Sequence, residues 1–170
     1  MRDERILVLS VKPRFADAIL GGGKTTELRR VRPLLRVPTL ALLYSSSPEM
    51  AVVGACRIDA IVTRSPGSLW RTHGRSSGVT RLEFDQYFAG CAEASGLLVS
   101  QPQRLHEPVP LEALRRRMRG FAPPQSFRYL TAVEAATLVG AQSLPGWTEH
   151  SQAAGVTHGR TAGRPNTRTA

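Results

Sequence analysis

The apolar residues of this chain come in short blocks, each closed by proline, glycine or a polar turn, and none approaches the roughly 18 residues that cross a bilayer as a helix. Such punctuation restricts the chain to short strands and helices packed in layers around one core. The first block, Ile6 to Val11, is aliphatic and β-branched and predicts a buried strand. Lys12 and Pro13 end it. Pro13 suits the first turn of a helix in which Phe15, Ala18 and Ile19 recur at helical spacing until Gly21, Gly22 and Gly23 stop it. Lys24 to Arg30 then reads as an edge or rim strand. Its period of two sends Lys24, Thr26, Leu28 and Arg30 to one face and Thr25, Glu27 and Arg29 to the other, so its charges are expected on both faces.

Further strands are predicted over Thr39 to Ser45, Ala51 to Thr63, where Gly54 allows a bend, and Ala94 to Gln101. Between the first two, Ser45, Ser46, Ser47 and Pro48 make a tight polar turn. Ser65 and Pro66 read as N-cap and first position of a helix that carries Leu69 and Trp70 inward, followed by a flexible basic loop from Gly74 to Gly78. Thr80 with Glu83 forms a capping box, opening a helix whose Leu82, Phe84, Tyr87 and Phe88 make an aromatic face ended by Gly90. Pro110 to Arg119 reads as a short basic helix. Thr131 with Glu134 is a second capping box, opening a helix from Ala132 to Val139. From Ser143 onward large apolar residues thin out, so 1–142 is expected to be one domain and 143–170 a disordered basic tail, dispensable for folding. The result is an α+β domain of about five or six strands.

The formal charge of +10 points to a polyanionic partner, since Lys and Arg gain affinity by displacing counterions from phosphates. Lys24, Arg29, Arg30, Arg32 and Arg36 stand against Glu27 alone, and Arg115, Arg116, Arg117 and Arg119 follow one another with no acid between them. Met1 leads straight into charged residues without an apolar signal segment, which predicts a cytoplasmic protein. Cys56 and Cys91 form no metal-binding pattern, and His73, His106, His150 and His158 are scattered, so neither a metal nor another cofactor is expected.

Five ordered blocks resemble one bacterial and archaeal branch of the ASCH family, of the PUA-like β-barrel superfamily. They are Gly22 to Arg30, which resembles a GxKxxExR segment; Tyr44 to Pro48 with Val53 and Gly54; Ser65, Pro66, Leu69 and Trp70; Phe84 to Gly90; and Pro123 to Leu130. The resemblance implies a small β-barrel with flanking helices, a cleft beside the Lys24 strand, and an association with RNA or modified nucleosides. Family members include RNA-binding regulators, ribonuclease-like proteins and an amidohydrolase of a modified cytidine. In that last branch a threonine nucleophile stands where this chain has Glu27, so the resemblance leaves its acyl-transfer mechanism without a nucleophile, although Thr25 and Thr26 are close by.

The residues expected at a nucleic-acid site are Lys24, Glu27, Arg29, Arg30, Tyr44, Ser45, Gln125, Ser126 and Arg128. Lys24 is one of two lysines in a chain that otherwise uses arginine, which suggests a need for a compact or titratable amine; a solvated surface lysine is the plain alternative. Glu27 pairs with Lys24 or Arg29, or accepts from a base edge, and if the protein is an enzyme Lys24 and Glu27 are its catalytic pair. Arg29 and Arg30 suit phosphates, with Arg115 to Arg119 as an extension. Tyr44 and Ser45 offer hydroxyls on a turn. Gln125, Ser126, Phe127 and Tyr129, after the Pro-Pro stop, either line the cleft or form a strap over the barrel. Trp70, Phe84, Tyr87 and Phe88 read as core rather than as base-stacking platforms. The function expected is RNA binding, with DNA as a further ligand and a regulatory role; the alternative is a metal-independent ribonuclease or a hydrolase of a modified nucleoside.

Overall fold

The computed structural model describes residues 5–142. The tail expected from 143 lies outside them. Its elements run β1 (Ile6–Val11), α1 (Pro13–Leu20), β2 (Thr26–Arg29), β3 (Thr39–Ser45), β4 (Ala51–Arg64), α2 (Pro66–His73), a 3-10 turn (Gly74–Ser76), α3 (Arg81–Tyr87), β5 (Ala94–Pro110), α4 (Leu111–Arg117), β6 (Phe127–Leu130) and α5 (Ala132–Val139). The strands form one six-stranded curled sheet in the order β2-β5-β4-β3-β1-β6, with five flanking α-helices. β1 runs parallel to β3, and every other pairing is antiparallel.

Alternation along the strands covers both sides of this sheet. Leu7, Leu9, Val11, Ala41, Leu43 and Ala51 face a core closed by Ala16 and Ile19 of α1. Val8, Leu42, Tyr44 and Val52 face the other way, onto Leu111 and Leu114 of α4 and Leu138 of α5. A third, smaller cluster seats Leu69, Phe84 and Phe88 against Leu28 of β2.

Several expectations need correction. Tyr44 and Ser45 are not on a turn; they are the buried last residues of β3, and the turn begins at Ser46, whose carbonyl accepts from the amides of Glu49 and Met50. β5 continues nine residues past Gln101, to Pro110. The chain passes Pro102, which lacks an N–H, by putting Gln101 at φ 48 and shifting the β4 register from Arg57↔Ser100 to Ala55↔Gln103. Gly74 to Gly78 is not a loose loop: Gly74 lies so close under Trp70 that a Cβ there would stand 2.6 Å from the ring, and Ser77 is fully buried. Ser65 precedes α2 without a side-chain capping bond. Phe84 of α3 and Phe88 at its C-terminal cap are core, whereas Leu82 and Tyr87 are exposed.

Both capping boxes form. At the first, Glu83 Oε2 accepts from the Thr80 amide at 2.8 Å, and Arg14 of α1 reaches across to Oε1. The backbone bond from Thr80 and then the bond from Arg14 hold the Glu83 carboxyl down to about 2. A depressed folded-state pKa contributes stability that is complete above the unfolded value of about 4.3 and is lost as pH falls towards 2. Glu83→Gln keeps the box geometry without a titrating group. Its unfolding midpoint should therefore depend less on pH between 4.5 and 2 than the wild type's, and parallel pH profiles would refute this role.

Candidate functional site

Two groups of polar side chains meet where β1, β2 and β3 end. The first forms on β2, the sheet edge. Glu27 and Arg29 share a strand face by alternation, and Arg29 Nη2 stands 3.2 Å from Glu27 Oε1. Lys24 joins them because it precedes the strand. The glycine turn holds its amide on Ala18 O, which breaks the period of two and swings its side chain to Glu27, Nζ to Oε2 3.1 Å. The charges of this segment therefore do not divide between faces as the alternation predicted. Lys24, Glu27 and Arg29 converge and are only 2%, 5% and 6% exposed.

The ammonium of Lys24 also donates to the carbonyls of Thr26 (2.9 Å) and Ser77, and lies 5.0 Å from the centre of the Phe15 ring. Gly78, at φ +69, packs against its stem. Burial lowers the Lys24 pKa, Glu27 opposes that shift, and Arg29 adds to it. The same Nη2 of Arg29 that faces Glu27 donates to Ser10 O at 3.1 Å. Beside the trio is a cavity of about 120 Å³ lined by Ile19, Lys24, Cys56, Val99, Ser100 and Pro102. It is well below the roughly 300 Å³ at which small-molecule sites begin. The Cys56 thiol in its wall is pushed up to about 12, by burial first and then by Glu27 and Asp59, so it stays neutral.

The second group is a row that runs from β3 across β1 to the residue entering β6, on the opposite side of the sheet. Tyr44 of β3 is the ladder partner of Ser10 of β1, and the Ser10 amide donates to Ser126 O at 3.0 Å, just before β6. Residues paired in this way present their side chains on one face. Tyr44, Ser10 and Ser126 thus line up on the side of α4, and Arg128, opposite Val8, follows on the same face with its guanidinium 5.7 Å from the Phe121 ring centre. Tyr44 is 2% exposed overall. Its hydroxyl makes no hydrogen bond among the described residues, yet it is not among the sealed polar atoms, so its tip reaches the surface. Burial raises the phenol pKa and Arg115 of α4 partly offsets this, which keeps the phenol protonated at neutral pH.

Among the described residues, Ser10 Oγ, Arg29 Nε and Ser45 Oγ are sealed without a hydrogen-bond partner, and Glu27 Oε2 is sealed with only the Lys24 ammonium, 3.1 Å away, to balance it. All belong to the trio, to the row, or to the residue after Tyr44, and such atoms are rare enough in folded proteins to mark a place. Arg29, bound to the Ser10 carbonyl, joins the two groups. Of the other expected residues, Ser45 is fully buried on the α1 side, between its ladder partners Val11 and Ala51. Arg30 is exposed and points elsewhere, donating to Ala89 O at 3.2 Å beside the Tyr87 ring. Gln125 is exposed and makes no side-chain bond among the described residues. Sequence reasoning missed Ser10, since a serine inside an aliphatic strand gives no signal of its own, and Ser77, whose carbonyl completes the Lys24 site.

No family model matches the chain. An ASCH domain-containing ribonuclease of Zymomonas mobilis is 33% identical over 137 residues, covering 81% of this chain and 92% of that protein. The crystal structure of the ASCH protein from Zymomonas mobilis superposes with a TM-score of 0.78 at 32% identity, over 84% of this chain and 99% of that one. Crystal structures of a serine-to-alanine and a tyrosine-to-phenylalanine variant of it match with TM-scores of 0.78 and 0.77. The large ribosomal subunit protein uL22 of Ureaplasma parvum serovar 3 is 29% identical over 107 residues, which span 63% of this chain and 31% of that protein.

Proposed function

The chain belongs to the ASCH domain family, and from that premise we propose that it binds single-stranded RNA and cleaves it at the row of Tyr44, Ser10 and Ser126. The observation that carries this reading is the row itself: hydroxyls on β3, on β1 and on the residue that enters β6, without side-chain partners among the described residues, with Arg128 on the same face and the charge of Arg115 acting on the Tyr44 phenol. The Zymomonas mobilis relative, called a ribonuclease, supports it, as do the crystallised variants of the ASCH protein, each lacking one serine or tyrosine hydroxyl. The trio is sealed from the RNA and acts from behind the row. Lys24 and Glu27 fix Arg29, and Arg29 fixes the Ser10 carbonyl at the centre of the row.

In the cleavage step the 2′-oxygen bonds to phosphorus as the bond from phosphorus to the 5′-oxygen breaks. The 2′ proton passes to water. Tyr44 donates its proton to the leaving 5′-oxygen and is reprotonated from solvent. Arg115 and Arg128 hold the charge that gathers on the phosphoryl oxygens. A deoxy strand has no 2′-hydroxyl, so DNA is bound and left intact. The row contains no imidazole or carboxylate to take the 2′ proton, and this favours a second reading, an RNA binder without turnover.

Titration of a labelled single-stranded oligoribonucleotide tests both readings. Neutralising four or so phosphates should give a log-log salt slope of about −3. Cleavage of the RNA but not of its deoxy counterpart is expected, binding without product supports the second reading, and a slope near zero removes nucleic acid as the ligand.

A further inference from the structure

We infer that Arg115 and the Tyr44 hydroxyl together form a subsite for one phosphodiester of the RNA backbone, and that Arg115 alone among the arginines of α4 serves it. This rests on the RNA reading above. α4 begins where the Leu111 amide donates to Met50 O at 2.9 Å, and it buries Leu111 and Leu114 in the cluster that holds the Tyr44 ring. Arg115 follows Leu111 by four positions. On a helix of about 3.6 residues per turn it rises along the same flank as Leu111, exposed at the rim of the face that packs on the Tyr44 cluster.

Its neighbours are committed elsewhere. Arg116 pairs with Glu112 one turn back. Arg117 donates to Leu138 O at 2.6 Å and lies against Gly140, tying α4 to α5. Arg115 makes neither an ion pair nor a side-chain hydrogen bond among the described residues, and the Tyr44 hydroxyl makes none either. A guanidinium offers only donors, and the protonated phenol has a hydrogen to donate. A phosphodiester supplies two unesterified oxygens that accept, and it carries the charge that Arg115 lacks beside it. The raised phenol pKa, partly offset by Arg115, agrees with this proximity.

The experiment compares wild type, Arg115→Ala, Arg115→Lys and Arg116→Ala in binding a labelled single-stranded oligoribonucleotide across a salt series. It also follows the Tyr44 phenol by ultraviolet difference titration, with Tyr44→Phe as the blank. Arg115→Ala should bind about tenfold more weakly and lose about one unit of salt slope, Arg115→Lys should recover part of both, and Arg116→Ala should match wild type. The Tyr44 phenol should titrate at higher pH in Arg115→Ala. Equal affinity and slope in Arg115→Ala and Arg116→Ala would overturn the subsite while leaving RNA binding intact. Failure of the wild type to bind would instead remove the RNA reading and the subsite with it. Displacement of the RNA by inorganic phosphate, at an ionic strength where chloride does not displace it, would assign these groups to free phosphate and overturn the backbone assignment.

Discussion

Replacing Glu27 with glutamine will destabilise the protein by about 3–5 kcal/mol, the range found when one partner of a buried ion pair is removed and a charge is left uncompensated. Among the described residues Glu27 is the one anion that pairs with both Lys24 and Arg29, and all three are almost sealed from water. Without it two cations face each other inside the domain. Lys24→Met should cost less, because it leaves a neutral Glu27–Arg29 pair and releases only the Thr26 and Ser77 carbonyls. The loss in Glu27→Gln should also shrink as pH rises. The folded-state pKa of Lys24 is already lowered by burial, and removing Glu27 lowers it further. Approaching the ordinary lysine value of about 10.4, the unfolded chain then holds a proton that the folded one has shed, so the variant regains stability. Urea unfolding of both variants from pH 7 to 10 checks the order and the slope, and a Glu27→Gln variant as stable as Lys24→Met would remove Glu27 from this central position.

Tyr44→Phe should lower RNA turnover by about 10²-fold with the fold nearly unchanged and affinity reduced only by the one hydrogen bond to the phosphodiester, since it removes the proton offered to the leaving oxygen and keeps the buried ring. The plain alternative, a core tyrosine, would give a stability change and no effect on kcat. Single-turnover cleavage with saturating protein separates the two. Unaltered cleavage by a folded Tyr44→Phe variant would exclude the phenol from the chemistry.

What the sequence made legible follows from how local each signal is. The strand at Ile6–Val11, the helix opened by Pro13 and the two Thr-x-x-Glu boxes are set by residues within one or two turns of each other, and they form as expected. Lys24, Glu27 and Arg29 could be chosen from their spacing and from the scarcity of lysine. Their convergence could not, because it depends on a strand that starts at Thr26 and on a glycine turn anchored to Ala18 O. The second half of β5 was hidden by Pro102, Pro108 and a polar stretch, which read as breakers until a register shift in β4 absorbs the first proline. β6 is four residues long and exists only as an edge on β1, so no pattern within Phe127–Leu130 announces it. The row of Tyr44, Ser10 and Ser126 is an inter-strand feature; each member looked ordinary alone.

Among the described residues the first strand, β1, lies between β3 and β6, so its second partner is also the last of these strands to be made. During synthesis Ile6 to Val11 emerges early and finds β3, but the edge it offers on its other side waits for more than a hundred further residues to leave the ribosome. Closing so long a loop makes this pairing a late event in folding. Ser126 arrives with it. The row is therefore incomplete on a partly made chain, and an activity directed at RNA would be withheld from the messenger and the ribosome that are producing it until the domain is nearly finished.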